Sequence, residues 1–427
     1  MRPRRPPAYP TPVGAVLVPD GDEEAGRLQF LTDVGRLLWP SPAWLTFGPP
    51  RPLPGVELVG DFLLLSGRNR PRLLVPTGNR HAAAGAVRHY GEQGGRRARV
   101  VNRTAALAVR TGLAEQLLRE RVRIHAPLGT PRDNIETYLA GVLHQPVHLG
   151  MHVSAPRANR KPVLQVLTAD GRTAAYVKIG IDDLTARLVS HEAASLRTLS
   201  SWRLSRMQVP SVISYDRWKG LGVLVLSALP VWQRRVGEGK RREDSLLELA
   251  AVGSERRPLA GSAWWHGLRS RQRELDTSAS ALRLQAAAAT LEQIDGAREL
   301  GFGPCHGDWT PWNAVVVADA VLAWDWERFD PAGPHGHDAL HFALQRRIVG
   351  AEQPAPDAVR AVIANAARLL APHVRVHADV QVVCATYLID IGTRYLLDRQ
   401  TQAGSAIGRV ETWLLPALEE LLYATDK

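Results

Sequence analysis

Apolar and polar positions change rhythm several times along the 427 residues. Residues 1–55 hold no sustained period. Pro and Gly punctuate short apolar pieces such as Gly14–Val18 and Leu37–Trp39, which predicts irregular structure or an ordered arm. From Val56 the pattern firms. Val56–Ser66 and Arg72–Val75 read as strands on either side of a polar turn, and Asn79–Tyr90 and Val100–Val122 read as helices. A break at Pro127–Arg132 precedes a short helix, Asn134–Leu143. A β-rich block follows: Pro146–His152, Pro162–Leu167 and Ala174–Ile179, a helix over Asp183–Leu199, then Val212–Tyr215 and Gly222–Leu226. Residues 231–262 are polar and rich in Gly, Arg and Glu, which predicts a surface loop or a partly mobile segment. Leu282–Leu300 reads as a helix, and residues 338–425 as three or four helices separated by Pro354, Pro356 and Pro372.

This order predicts an α+β chain: an accessory α/β region over residues 1–130, a small β-rich lobe over 131–229 and a mainly helical lobe over 230–427. No apolar run reaches the roughly 18 residues that span a membrane; Val382–Leu397 comes nearest and is broken by Asp390 and Arg394.

The densest chemistry lies at Cys305–Glu327, CHGDWTPWNAVVVADAVLAWDWE. Two short apolar strands, Ala314–Val317 and Val321–Trp324, flank an Ala318-Asp319-Ala320 turn. If they pair, Asn313 and Asp325 return to one end of the hairpin, near Asp308. Hard cations such as Mg²⁺ favour oxygen ligands of this kind, and Asp is unfavourable inside a strand unless it is aimed at something. Asp308 is then a candidate to accept or orient a hydroxyl proton. Glu327 is a further ligand or a supporting group, His306 is structural, and the tryptophans pack around the loop. Asp338, ahead of the last helices, reads as a helix N-cap.

Upstream, Lys178 ends a strand and Glu192 lies 14 residues later on the next helix. An ammonium held on a strand by a helix carboxylate is a device for gripping nucleotide phosphates. The turn expected to cover the phosphates, Gly150–Lys161, contains no Gly-rich motif; Ser154, Asn159, Arg160 and Lys161 are its candidate donors.

Charge and composition narrow this picture modestly. Net charge is +11, and residues 1–130 hold 19 Arg against 10 Asp and Glu. That basic region is a candidate surface for a protein partner. Its arginines are spread out without interleaved aromatics, so no nucleic-acid module is expected. With five lysines against 48 arginines, each lysine is more informative than usual. The two cysteines, at no metal-ligand spacing, and an N-terminus without an apolar signal core suit a reducing cytoplasm.

Together, His306-Gly307-Asp308 through Asn313, followed by Asp325-Trp326-Glu327, resemble the catalytic loop and metal motif of the aminoglycoside phosphotransferase and choline-kinase-like family, a branch of the protein-kinase-like fold. The resemblance covers roughly residues 144–425. It implies a two-lobed fold, with Asp308 as catalytic base, Asn313 and Asp325 on Mg²⁺, and Lys178 with Glu192 on ATP or GTP. It also implies a hinge at Ser227–Leu229 that meets the base, and an acceptor site shaped by the C-terminal helices. The missing Gly-rich loop and residues 1–130 depart from the family pattern.

The expected activity is transfer of a nucleotide γ-phosphoryl group to a small-molecule hydroxyl. Residues 331–427 carry 10 acidic and 9 basic side chains, so no acidic excess marks a polycationic acceptor. Sugars, amino sugars and aminoglycoside-like molecules all remain open. The alternative is a catalytically weak pseudokinase that binds nucleotide as a regulatory or scaffold protein.

Overall fold

The computed structural model describes residues 22–48, 53–67, 70–90, 96–113, 120–153, 157–236, 239–402 and 406–424. It forms two compact units, one of Met1–Ala155 with Pro162–Val177 and one of Pro156–Lys161 with Lys178–Lys427.

In the first unit, α1 (Asp22–Leu38) precedes β1 (Trp44–Phe47), β2 (Val56–Gly67) and β3 (Arg70–Pro76). Helices α2 (Arg80–Tyr90) and α3 (Arg96–Arg110), β4 (Arg121–Pro127) and α4 (Ile135–Leu143) follow. Then come β5 (His148–His152), β6 (Val163–Leu167) and β7 (Thr173–Gly180), whose last three residues belong to the second unit. The strands are hydrogen-bonded in the order β1-β4-β2-β3-β5-β6-β7. Leu73 pairs with His152 and Leu74 with Met151, so strands of residues 1–130 and of the later β block share one sheet. Over it, α2 buries Ala82, Ala83, Ala86 and Val87 among Leu63, Leu73, Val75 and Leu167. The helix approaches closely because Gly85 and Gly171 have no side chains. A Cβ on Gly85 would lie 2.2 Å from the Gly171 carbonyl oxygen.

Two expectations change here. Described residues of the stretch expected as irregular structure or an ordered arm form α1 and β1, and Leu31, Val34, Leu38 and Trp39 are buried. Their helical spacing was obscured by flanking Pro and Gly. Gly14–Val18 lies outside the described residues. The single helix expected over Val100–Val122 gives way by Gly112, which turns left-handed at φ +81°, and Arg121 already belongs to β4.

In the second unit, α5 (Asp183–Ser200) is capped by a reciprocal pair in which Asp182 accepts from the Thr185 backbone N–H and the Thr185 hydroxyl from the Asp182 N–H. Strand β8 (Met207–Gln208) precedes the antiparallel hairpin β9 (Val212–Trp218) and β10 (Leu221–Ser227). Next come α6 (Gly239–Ala251), β11 (Glu255–Pro258), α7 (Ala263–Arg273), α8 (Ala279–Asp295), β12 (Glu299–Cys305), β13 (Ala314–Val316), β14 (Val321–Ala323) and β15 (Asp330–Pro334). The chain closes with α9 (His337–Gln345), α10 (Ala355–Ala364), α11 (Ala366–Leu370), α12 (Asp379–Leu397) and α13 (Leu414–Ala424). The polar stretch expected as a loop contains α6, which buries Leu246 and Leu249. The helix expected to reach Leu300 stops at Asp295, and Leu300 sits in β12. The last helices number five α-helices among the described residues, not three or four. Their core is built from α7–α13, with Trp265, Leu284, Leu388, Ile389 and Trp413 buried at its centre.

The chain is thus a mixed α+β protein, with a largely antiparallel sheet in one unit and mainly helices in the other. No described helix is long and apolar enough to cross a membrane.

Candidate active site

Strands β12 and β15 pair antiparallel, and Cys305 stands opposite Asp330. Residues 306–329 therefore leave and rejoin one sheet at the same point, and this excursion holds the candidate chemistry. Within it β13 and β14 pair as a hairpin, Ala314 opposite Ala323, and the Trp324 N–H donates to the Asn313 carbonyl at 3.0 Å. Asn313 and Asp325 are thereby returned to one end of the hairpin, as their spacing predicts.

The loop from His306 is fixed by its own backbone. Gly307 adopts φ +77°, and a Cβ there would lie 2.0 Å from the Arg328 carbonyl oxygen, so glycine is required. Asp338, expected as an N-cap, takes another part: Gly336 occupies the cap of α9. Asp338 accepts the backbone N–H groups of His306 at 2.7 Å and Gly307 at 2.9 Å, clamping the loop. Burial pushes its carboxyl up, against the pull of His306 and those two N–H groups. The His306 ring is structural. It lies 3.0 Å from the Trp324 carbonyl, accepts the Asp308 N–H at 3.2 Å and packs 4.4 Å from the Trp326 ring. Trp309 and Trp326 are fully buried beside it.

Asp308 is held from three elements. Asn313 Nδ2 donates to its Oδ2 at 3.0 Å and to its carbonyl at 2.9 Å. From α9, His341 Nε2 lies 3.1 Å from Oδ1, and from α12 Arg394 lies 3.5 Å from the same oxygen. Arg394 also donates to the Gly307 carbonyl at 2.6 Å. Burial alone would raise the Asp308 pKa, but the His341 hydrogen bond and the Arg394 charge outweigh it and hold the carboxyl well below the usual range.

Lys178 joins the second cluster. Its Nζ donates to both Glu192 oxygens, at 2.7 and 2.6 Å, and to Asp325 Oδ1 at 2.5 Å. Burial pulls its pKa down, yet Asp325, Glu192 and Glu327 outweigh that and keep the ammonium charged well above its ordinary value. Asp325 stands at φ 71°, a strained conformation for a residue with a side chain and one that favours a functional reading. Burial raises its carboxyl, while Lys178 and Lys161 more than reverse that. Glu192 also accepts the Trp326 N–H at 3.2 Å, which ties α5 to the Asp325–Glu327 segment. Glu192, Asp325 and Glu327 each offer an oxygen within 4.8 Å of one another. Oxygen ligands of this kind suit a hard cation such as Mg²⁺; Lys178 engages Glu192 and Asp325 Oδ1, and the Asn313 amide nitrogen is turned to Asp308.

Lys161 and Asn159 also reach this cluster. Both bind Glu327, Lys161 through a buried ion pair and Asn159 Nδ2 at 3.1 Å. Ser154 lies outside the described residues. Ser227 ends β10, and Leu229 follows it against the hairpin that carries Asn313 and Asp325. Ser227 is bonded to Ser211, accepting its N–H at 2.8 Å, and Leu229 packs with Val315, Val317 and Leu322. The residues that sequence reasoning missed are Asp338, His341 and Arg394. Asp390 and Arg394 interrupting an otherwise apolar helix were the visible signal.

No family model matches the chain, and no curated protein matches it. Among solved structures it is similar to a thermostable mutant of aminoglycoside phosphotransferase APH(4)-Ia, at 10% identity over 68% of this chain and 98% of that one, with a TM-score of 0.45. It is similar to choline kinase LicA from Streptococcus pneumoniae, at 12% identity over 62% and 89%, with a TM-score of 0.41. It is also similar to the amicoumacin kinase hAmiN in complex with AMP-PNP and Ca²⁺, at 13% identity over 62% and 86%, with a TM-score of 0.37.

Proposed function

We propose that the chain is a small-molecule kinase that moves the γ-phosphoryl group of ATP or GTP to the hydroxyl of a sugar, amino sugar or aminoglycoside-like acceptor. The observation that carries this reading is Lys178, which bonds Glu192 and Asp325 at once while Asn313 links the same hairpin end to Asp308. In this reading Lys178 grips the phosphates, Asp325 carries the metal and Asp308 orients the hydroxyl, and all three residues belong to one unit of the fold.

In the reaction the acceptor oxygen bonds to the γ-phosphorus. The bond from that phosphorus to the β–γ bridging oxygen breaks, and its electron pair leaves with the nucleoside diphosphate. The hydroxyl proton passes to Asp308 or to the transferred phosphoryl oxygens. Asp308 is a weak base because His341 and Arg394 stabilise its anion, so its part is to orient the hydroxyl, which suits a loose transition state. Lys178 fixes the phosphates, and Glu192 fixes Lys178. Mg²⁺ on Asp325 and Asn313 would supply neutralisation of phosphate charge.

The second reading, a pseudokinase that binds nucleotide without efficient turnover, draws on Lys161 and Asn159, which turn to Glu327 in a turn lacking a Gly-rich motif. Nucleotide turnover with Mg²⁺ across a panel of sugars, amino sugars and aminoglycosides separates the two. Transfer to at least one acceptor supports the kinase, and tight nucleotide binding with no transfer supports the alternative.

A further inference from the structure

Lys161 stands in an unusual place for one of only five lysines. Its side chain and that of Glu327 are each 3% exposed, and they form an ion pair. Both oxygens of Glu327 are engaged, Oε2 by Lys161 and Oε1 by Asn159. Glu327 is also one of the three carboxylates that lie within 4.8 Å of one another with Asp325. A carboxylate whose oxygens are both taken by a tethered ammonium and an amide is a poor ligand for a cation. A nucleotide triphosphate, with several negative charges, is a strong competitor for that ammonium.

We propose that Lys161 is a built-in competitor of the divalent cation. Its ammonium holds Glu327 until nucleotide phosphates draw it away, and the released carboxylate then joins Asp325 in holding the cation. The inference rests on the phosphotransfer reading of the same site. It makes nucleotide and cation tighten each other's binding by one shared factor, as linkage requires.

The test uses the full chain and Mn²⁺, followed by the paramagnetic resonance of the free ion, with and without AMP-PNP. K161Q binds Mn²⁺ without nucleotide at least tenfold more tightly than wild type, while the neutral pair K161Q/E327Q does not. Unchanged or weaker Mn²⁺ affinity in K161Q, including no detectable binding in either protein, overturns the proposal. E327Q keeps an isosteric partner for Lys161 and Asn159 and serves if K161Q fails to fold. It weakens Mn²⁺ binding about tenfold in the presence of AMP-PNP, and an unchanged affinity overturns the proposal equally. The underlying reading fails separately: wild type then binds no AMP-PNP by calorimetry, and the nucleotide step of the proposal falls with it.

Discussion

His341 Nε2 lies 3.1 Å from Asp308 Oδ1, and Nδ1 of the same ring lies 3.0 Å from the Tyr387 hydroxyl. An ionised carboxylate only accepts, so Nε2 carries the proton and Nδ1 accepts from Tyr387. A buried ring on α9 thus aims a loop carboxylate, and Tyr387 on α12 fixes its tautomer. Replacing His341 by Ala is expected to lower kcat roughly tenfold to a hundredfold through misplacement of Asp308. The KM for nucleotide should change little, because Lys178, Glu192 and Asp325 are untouched. Steady-state kinetics on H341A, with Y387F as a milder companion, checks this.

The Asp308 pKa is depressed, so its carboxylate persists below the ordinary Asp range near pH 3.9. The pH–rate profile should show no acid limb from this group above about pH 4. R394Q removes a cation 3.5 Å away and should bring such a limb upward. A profile of kcat against pH for both proteins measures it.

Lys178 and Glu192 are a buried pair, and the two partners are not equivalent. K178M leaves both Glu192 and Asp325 without their ammonium and should cost about 3–5 kcal/mol. E192Q leaves Lys178 on Asp325 and should cost less, by at least about 1 kcal/mol. Denaturant unfolding of the two variants gives the order.

His337 is buried against Thr386, and burial lowers its pKa to about 4. Its folded pKa lies below the unfolded value near 6.5, so the unfolded chain binds more protons in that window. Its contribution is complete above about pH 6.5 and is lost as pH falls toward 4, with a magnitude of about 3 kcal/mol. Thermal unfolding between pH 7 and 4 should fall less steeply in H337Q than in wild type.

Much of the site was legible because its parts are local. The hairpin carries its own turn and strands, so the return of Asn313 to Asp325 follows from pairing alone. Lys178 and Glu192 sit at the end of one strand and on the next helix. His341 and Arg394 reach Asp308 from 33 and 86 residues away, and no local pattern encodes those meetings. Asp338 looked like a cap because an Asp before a helix usually is one; here Gly336 takes the cap and frees the carboxylate for the loop. Lys161 was visible as a rare lysine in the right turn, but its partner Glu327 lies 166 residues downstream. In α1 and α6 the helical period was hidden, by Pro and Gly flanks in one and by charged residues in the other.

On the proposed reading Asp308 serves a phosphoryl transfer driven from the Lys178–Asp325 cluster. Transfer from γ-³²P-labelled ATP to an acceptor found in the panel, compared between wild type and D308N with nucleotide affinity measured in parallel, tests it most directly. The expected result is Mg²⁺-dependent transfer by wild type, a loss of at least about a hundredfold in D308N, and nucleotide affinity within about twofold. Equal transfer by D308N, or no transfer by wild type to any acceptor, would contradict it.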